Sequence, residues 1–291
     1  MQESIERLNA QPRAEKPLFD NNLNTWFLLD KVRGEKTLPA FYQGGNSGLI
    51  ASIDYLLLGT EHGQLIEASP LLIKLNHTQL SDSLYKHIQQ ERSGIFIQAK
   101  DDNILPHLQY LFSMQSENDG SVYARYYDPI FWTALQLTQP DQHQNIWGNL
   151  QKVHALAPES SEQQSSYITW STTEVDNQNV YIKPEQPIKL NNTFEVVGEM
   201  LKLLTHVIYP ASAQQIQPLT KEQMHNALTN LRAFNKAGIE QVDYLQRLLP
   251  WSINQPSITQ KPEIAQLLNA DLLDYEKIDQ IEQMMKEQSN G

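Results

Sequence analysis

The sequence contains no cysteine. That one absence removes disulfides, thiolate metal sites and a cysteine nucleophile, and it suits a reducing compartment. Long apolar runs are missing too. The best stretch, around Leu49–Leu58, is interrupted by Asp54 and is far too short to cross a bilayer. The opening MQESIERLNAQPRAEKP is polar and charged and lacks the apolar core of a secretory signal, so a cytoplasmic protein is expected. Basic charge is in short supply: 22 Lys and Arg against 34 Asp and Glu give 22 − 34 = −12. No compact Lys/Arg cluster offsets that balance. Nucleic acid and anionic membrane are therefore poor partners, and a basic or apolar protein surface is a better match.

Catalytic motifs are equally scarce. There is no Gly-x-x-x-x-Gly-Lys phosphate loop, no Gly-x-Gly-x-x-Gly turn and no Gly-x-Ser-x-Gly elbow. Gly44-Gly45-Asn46-Ser47-Gly48 is glycine-rich but has no lysine, and it reads as a plain loop. The eight histidines, His62, His77, His87, His107, His143, His154, His206 and His225, are dispersed, and none forms a His-x-x-x-His pair. A helix-borne zinc site is not expected. Asp101-Asp102 is explained by the preference of acids for helix N-termini.

What is present is a globular chain of 291 residues, 40% hydrophobic, long enough for one large domain or two lobes. The expected class is α+β: a mixed α/β N-terminal lobe with a small sheet covered by helices, then an all-helical lobe. Residues 1–20 read as a flexible leader or a single weak helix, 21–157 as the α/β lobe, 158–192 as a linker or hairpin excursion and 193–291 as the helical lobe. Strands are expected at Trp26–Leu29, Gln64–Pro70, Leu71–Leu75, Ile95–Ile97 and Val122–Tyr127, and their alternation with helices suggests a mixed sheet. A hairpin is expected to join Tyr167–Trp170 to Val180–Ile182 around Asp176-Asn177. Helices are expected at Ser81–Gln90, Asp101–Met114, Ile130–Leu137, Ile239–Leu249, Pro262–Leu268 and Tyr275–Met285. Thr220-Lys221-Glu222-Gln223 is a capping-box pattern that opens a further helix.

The most informative stretch is Val122-Tyr123-Ala124-Arg125-Tyr126-Tyr127-Asp128-Pro129-Ile130-Phe131-Trp132. Ser93–Ile97 precedes it and Trp147-Gly148 follows. Trp26-Phe27-Leu28-Leu29-Asp30 and Ala68–Leu75 complete the set. In this order the pieces resemble the effector adaptor family of type VI secretion (Tap/TEC, domain of unknown function 4123), over roughly residues 24–150. Asn149 stands where the family usually has proline, and Lys31 where a small residue is common.

The resemblance implies binding rather than catalysis, with no cofactor and no metal. Family members recognise the N-terminal region of a cognate effector and help mount it on the spike protein VgrG, often with a PAAR-type cap. On a continuous strand, Tyr123, Arg125 and Tyr127 would share one face. Arg125 then has Asp128, Asp30 across the sheet, or a tyrosine ring as partners, and Asp128-Pro129 caps the helix that follows. Tyr123, Arg125, Tyr127, Asp128, Trp132 and Trp251 are the candidate effector contacts. Asp30, Tyr126, Pro129, Trp147 and Gly148 are the structural members of the motif. Whether the Arg-Tyr-Tyr-Asp-Pro run is an internal brace or a direct contact stays open, as it does for Phe131, Trp132 and Trp147. Trp251, after Pro250, is placed at a helix end, where it would cover a groove between the lobes. An immunity protein that neutralises a basic toxin, and a hydrolase with a dispersed site, are the alternative functions.

Overall fold

The computed structural model describes residues 2–43, 46, 48–159, 166–172, 184–212 and 219–289. The chain divides into two units, Met1–Gly198 and Glu199–Gly291. The fold is α+β.

The first unit is built on a seven-stranded sheet. Its strands are β1 (Arg13–Ala14), β2 (Asn24–Leu29), β3 (Ile50–Tyr55), β4 (Leu71–Leu75), β5 (Gly94–Ala99), β8 (Lys152–Leu156) and β9 (Tyr167–Ser171). A second, three-stranded sheet holds β6 (Ser113–Ser116), β7 (Gly120–Tyr123) and β10 (Lys189–Leu190). The order in the large sheet is β1-β9-β8-β5-β2-β4-β3, and every neighbouring pair is antiparallel. The expected mixed sheet is corrected on that point. The parallel pairing among the described residues is β10 with β6, in the small sheet.

β2 lies inside the sheet, between β5 and β4, and both of its faces are apolar. Phe27 and Leu29 join Ile73, Leu75 and Phe96 in one core cluster. Helix α3 (Asp82–Glu91) closes that face with Leu84, Tyr85 and Ile88, and Phe41, just past α2 (Thr37–Ala40), packs beside them. Trp26, Leu28, Leu72, Ile95 and Ile97 point to the other face and are equally buried. A strand covered on both sides reads as a continuous apolar run, as Trp26–Leu29 does. The remaining helices of the unit are α1 (Gln2–Asn9), α4 (Leu105–Leu111), α5 (Pro129–Thr138), α6 (His143–Trp147) and the start of α7 (Asn192–Leu203). α5 lies against β8.

Of the two readings of residues 1–20, the helix is the one found, α1, and a short strand, β1, follows it and pairs with β9. Two local expectations are corrected. Gly63–Ala68 is a 3₁₀ helix rather than a strand: its backbone bonds to itself, as in Leu65 N–H to His62 O at 2.8 Å, and Ser69-Pro70 leads into β4. The strand expected over Val122–Tyr127 ends at Tyr123, and Arg125–Asp128 forms a turn closed by Asp128 N–H to Arg125 O at 2.8 Å. Tyr167–Trp170 does form a strand, paired with β8 and β1. Asp176-Asn177, Val180–Ile182 and most of the Gly44–Gly48 loop lie outside the described residues.

The second unit is helical: the end of α7, a π-type turn at Leu204–Ile208, α8 (Tyr209–Ser212), α9 (Lys221–Lys236), α10 (Val242–Asn254), α11 (Pro262–Leu268) and α12 (Asp274–Ser289). The capping box at Thr220 forms as its spacing predicts. Thr220 Oγ1 accepts the Gln223 N–H at 3.2 Å, and Gln223 Oε1 accepts the Thr220 N–H at 3.0 Å. α9 packs on α10, and the buried Asn230 amide donates to the carbonyls of Ser252 and Gln255 while its oxygen takes the Ile258 N–H. Arg247 ties α10 to α12 through Asp279 and Glu282.

Candidate functional site

Two short turns meet at one end of the large sheet. The register places Tyr55, Leu71, Leu29 and Gly94 side by side across β3, β4, β2 and β5, so the chain leaving β2 and the chain joining β3 to β4 emerge together. Asp30 follows Leu29 and adds one more rung, its N–H bonding Ser93 O at 2.7 Å. Its Oδ1 accepts the N–H groups of Val32 at 3.1 Å and Arg33 at 3.3 Å, which reverses the chain. Gly34 N–H then bonds Asp30 O at 2.8 Å. A side chain at Gly34 would put its Cβ 2.4 Å from Leu29 Cδ1 and 3.0 Å from Asp30 O, so a larger residue enters this close return only if the buried Leu29 side chain shifts.

The second turn is the Arg125–Asp128 segment. Asp128 caps α5: its Oδ1 accepts Ile130 N–H at 2.7 Å and Phe131 N–H at 3.4 Å, and Pro129 stands at the first helical position, where no donor is needed. Tyr126 is fully buried and donates its hydroxyl to Leu108 O at 2.6 Å, which pins the turn to α4.

Each aspartate thus spends one oxygen on its own turn and gives the other to an arginine of the opposite turn. Asp30 Oδ2 accepts from Arg125 Nη2 at 2.5 Å, and Asp128 Oδ2 accepts from Arg33 Nη1. Arg33 Nε also lies 3.9 Å from Asp30 Oδ2. The sequence Asp30-x-x-Arg33 is read against Arg125-x-x-Asp128, so the two turns form a reciprocal clasp across 95 residues of separation. Sequence reasoning offered Asp30 as one partner of Arg125 among three but missed Arg33. The mirrored spacing of acid and arginine was the available signal. Arg92, in left-handed backbone at the end of α3, donates to Leu156 O and Ala157 O beside the clasp. Desolvation pulls its guanidinium down to about 10, with Asp128 resisting and Arg33 adding to the fall. Arg125 moves up: desolvation works against it, and the hydrogen bond and charge of Asp30 win. Its guanidinium lies 5.9 Å from the Tyr127 ring centroid, and Tyr127 is itself raised, first by desolvation and then by Asp30.

The clasp is polarised. The aspartate side chains are 4% and 12% exposed, the Arg33 and Arg125 side chains 38% and 46%. The carboxylates lie beneath and the guanidiniums face solvent. Tyr123 stands next to them, exposed, stacked on Phe112 at 5.3 Å and edge-on to His62 at 5.0 Å.

The other sequence candidates fall elsewhere. Trp132 is fully buried, edge-on to Trp147 at 5.8 Å, so its ring belongs to the core rather than to a contact surface. Trp147 donates Nε1–H to Gln136 Oε1 at 3.1 Å. Gly148 has φ +49°, and a Cβ there would fall 2.6 Å from the His107 ring, which bonds Ile146 O at 2.9 Å. Glycine is therefore required at the end of the Trp-Gly pair. Trp251 is half-buried within α10, which runs on past Pro250 to Asn254.

Two histidines are sealed in the first unit and held neutral. Desolvation lowers His107 to about 4 against the opposing bond to Ile146, and lowers His154 to about 4 with help from Lys152. The His154 tautomer follows from its neighbours. Gln98 gives its amide hydrogens to Asp20 O and Thr25 Oγ1, so its oxygen faces His154 Nε2, which carries the hydrogen. His154 Nδ1 then accepts from Thr169 Oγ1 at 2.9 Å. Among the described residues no group of three His, Asp or Glu is placed to hold a metal. A polar cleft of about 550 Å³, walled by Arg7, Gln136, Gln139, Asp141, Gln142 and His143, is bordered by none of the sequence candidates.

Fold and site together define an α+β domain in which the interior strand β2 and the helix α5 are locked by an Arg–Asp clasp at one end of the sheet. Residues 25–145 of this chain match the family described as "Domain of unknown function (DUF4123)". The matched segment runs from the start of β2 into α6 and contains both turns of the clasp. No curated protein and no solved structure matches the chain. Within the described residues no helix is long and apolar enough to cross a membrane.

Proposed function

We propose that this chain is a cytoplasmic adaptor of a type VI secretion machine. It grips one effector by that protein's N-terminal region and helps mount it on the VgrG spike, with a PAAR-type cap where one is used. In this reading the protein makes and breaks no covalent bond.

The observation that carries the proposal is the clasp itself. The sequence piece that most resembles the effector adaptors, Arg125–Pro129, and an earlier piece of the same resemblance, Trp26–Asp30, are far apart in the chain and are tied to each other by the Asp30–Arg125 pair. What the tie leaves in solvent, Tyr123 and the guanidiniums of Arg33 and Arg125, are residue types favoured at protein interfaces. The experiment is deletion of the gene, with secretion of each effector followed separately. The expected outcome is loss of the one effector encoded beside it, restored by complementation, with the secretion machine otherwise active. Normal secretion of that neighbouring effector in the deletion strain refutes the proposal.

A further inference from the structure

Five of the large exposed apolar side chains of the first unit gather at the clasp end of the sheet: Val32, Tyr55, Leu58, Leu65 and Tyr123. Val32 sits in the turn between Asp30 and Arg33 and is 67% exposed. Tyr55 ends β3, and the Lys31 ammonium lies 5.6 Å from its ring centroid, which joins the two strand ends. Leu58, 65% exposed, and Leu65 belong to the connection from β3 to β4, whose backbone is held by Gln109 at the carbonyls of Leu56 and Leu58. His62 of that connection meets the Tyr123 ring. Monomeric surfaces rarely collect apolar side chains in this way without a partner to cover them.

The same end carries Arg33 and Arg125, each hydrogen-bonded to a carboxylate beneath it and with roughly two-fifths of its side chain open to solvent. A guanidinium has five N–H donors in a fixed fork, so each retains capacity for an incoming acceptor. Elsewhere the chain is strongly acidic, at −12 overall, and would repel an acidic partner. At this end the two guanidiniums stand in solvent, with the exposed carboxylates of Glu61 and Glu67 on the neighbouring connection, so an incoming acid is taken by the free donors of Arg33 or Arg125 rather than by a basic field.

From this juxtaposition we infer that the clasp end of the sheet is a docking face for one short segment of a partner protein, with apolar side chains flanking at least one carboxylate. The inference rests on the adaptor reading and names the surface and the chemistry it uses. The apolar side chains of the segment cover Val32, Leu58 and Tyr123, and its carboxylate reaches Arg33 or Arg125. The Val32 and Leu58 side chains are exposed and take no part in the ion pairs of the clasp, and the Val32 N–H that bonds Asp30 is kept in any substitution but proline, so changing these side chains leaves the fold intact.

The test uses the full chain and, as probe, the purified N-terminal region of the effector encoded beside its gene. Val32→Glu combined with Leu58→Glu is expected to weaken binding about ten-fold or more. Leu18→Glu, at another exposed leucine (71%), should leave binding unchanged, and all variants should keep the parent's urea midpoint. Replacing acids in the bound segment by amides should weaken binding several-fold, and added salt should do the same. If the parent binds the probe and the double variant binds equally well, the docking face is overturned and the adaptor reading stands. If the parent does not bind it, both fall. Equal loss from Leu18→Glu, or contacts mapping to a basic segment by cross-linking, also overturns the face. So does sedimentation showing that the double variant splits a dimer of this chain instead.

Discussion

Removing the Asp30 carboxylate is the sharpest test of the clasp. In Asp30→Ala, two backbone donors, Val32 N–H and Arg33 N–H, lose their acceptor, at about 1 kcal/mol each. Arg125 loses its carboxylate as well. A fully buried ion pair broken on one side costs about 3–5 kcal/mol, but the Arg125 side chain is 46% exposed and water takes over part of its solvation, so about 1 kcal/mol is the fair share. The total is about 3 kcal/mol. Arg125→Ala leaves a 4%-exposed carboxylate that keeps its two backbone donors and the more distant Arg33, and should cost about 1–3 kcal/mol. If the pair is a true tie, the double variant should be less unstable than the sum of the singles by about 1–2 kcal/mol. Urea unfolding of the four proteins, followed separately by tryptophan fluorescence and by circular dichroism, reads this directly. Strict additivity, within about 0.3 kcal/mol, would refute the clasp as a coupled unit.

Two further outcomes follow from the geometry. Gly148→Ala forces a Cβ into left-handed backbone and against the His107 ring, so it should cost about 2–4 kcal/mol, and a loss under about 1 kcal/mol in the same urea assay would contradict the packing described. His107 and His154 titrate near 4 when folded and from 6.5 when unfolded, so the unfolded chain takes up protons first as pH falls. The stability they give is complete above pH 6.5 and is lost between there and about pH 4, at about 1.4 kcal/mol per unit for each, or about 2 kcal/mol each by pH 5. Urea midpoints measured from pH 7 to pH 5 should fall accordingly, and less steeply in His154→Gln; an unchanged slope in that variant would count against the buried neutral ring.

Much of the fold was legible because local rules and burial agree. The apolar run at Trp26–Leu29 marked a strand buried on both faces, the Thr220–Gln223 spacing marked a helix start, and Asp128-Pro129 marked another. Gln64–Pro70 was misread because Leu65 and Ile66, a short apolar pair, do not distinguish a strand from a 3₁₀ turn. Val122–Tyr127 was misread for a different reason. Its β-favouring residues suit a strand throughout, but Tyr126 is buried against α4 and Asp128 must cap α5, and both demands bend the chain after Tyr123.

By itself the sequence determined the class, the acidity, the absence of thiol chemistry and the identity of the Arg-Tyr-Tyr-Asp-Pro run as a special segment. Each of these depends on residue type and near-neighbour spacing alone. Only the tertiary structure decided that Asp30 takes Arg125 while Asp128 takes Arg33, that Trp132 is core, and that the end of β3 meets the end of β2 while His62 of the β3–β4 connection meets Tyr123. Those outcomes depend on the antiparallel register that brings β2, β3, β4 and β5 to a common end, and register is fixed by packing across the whole sheet rather than by any one strand.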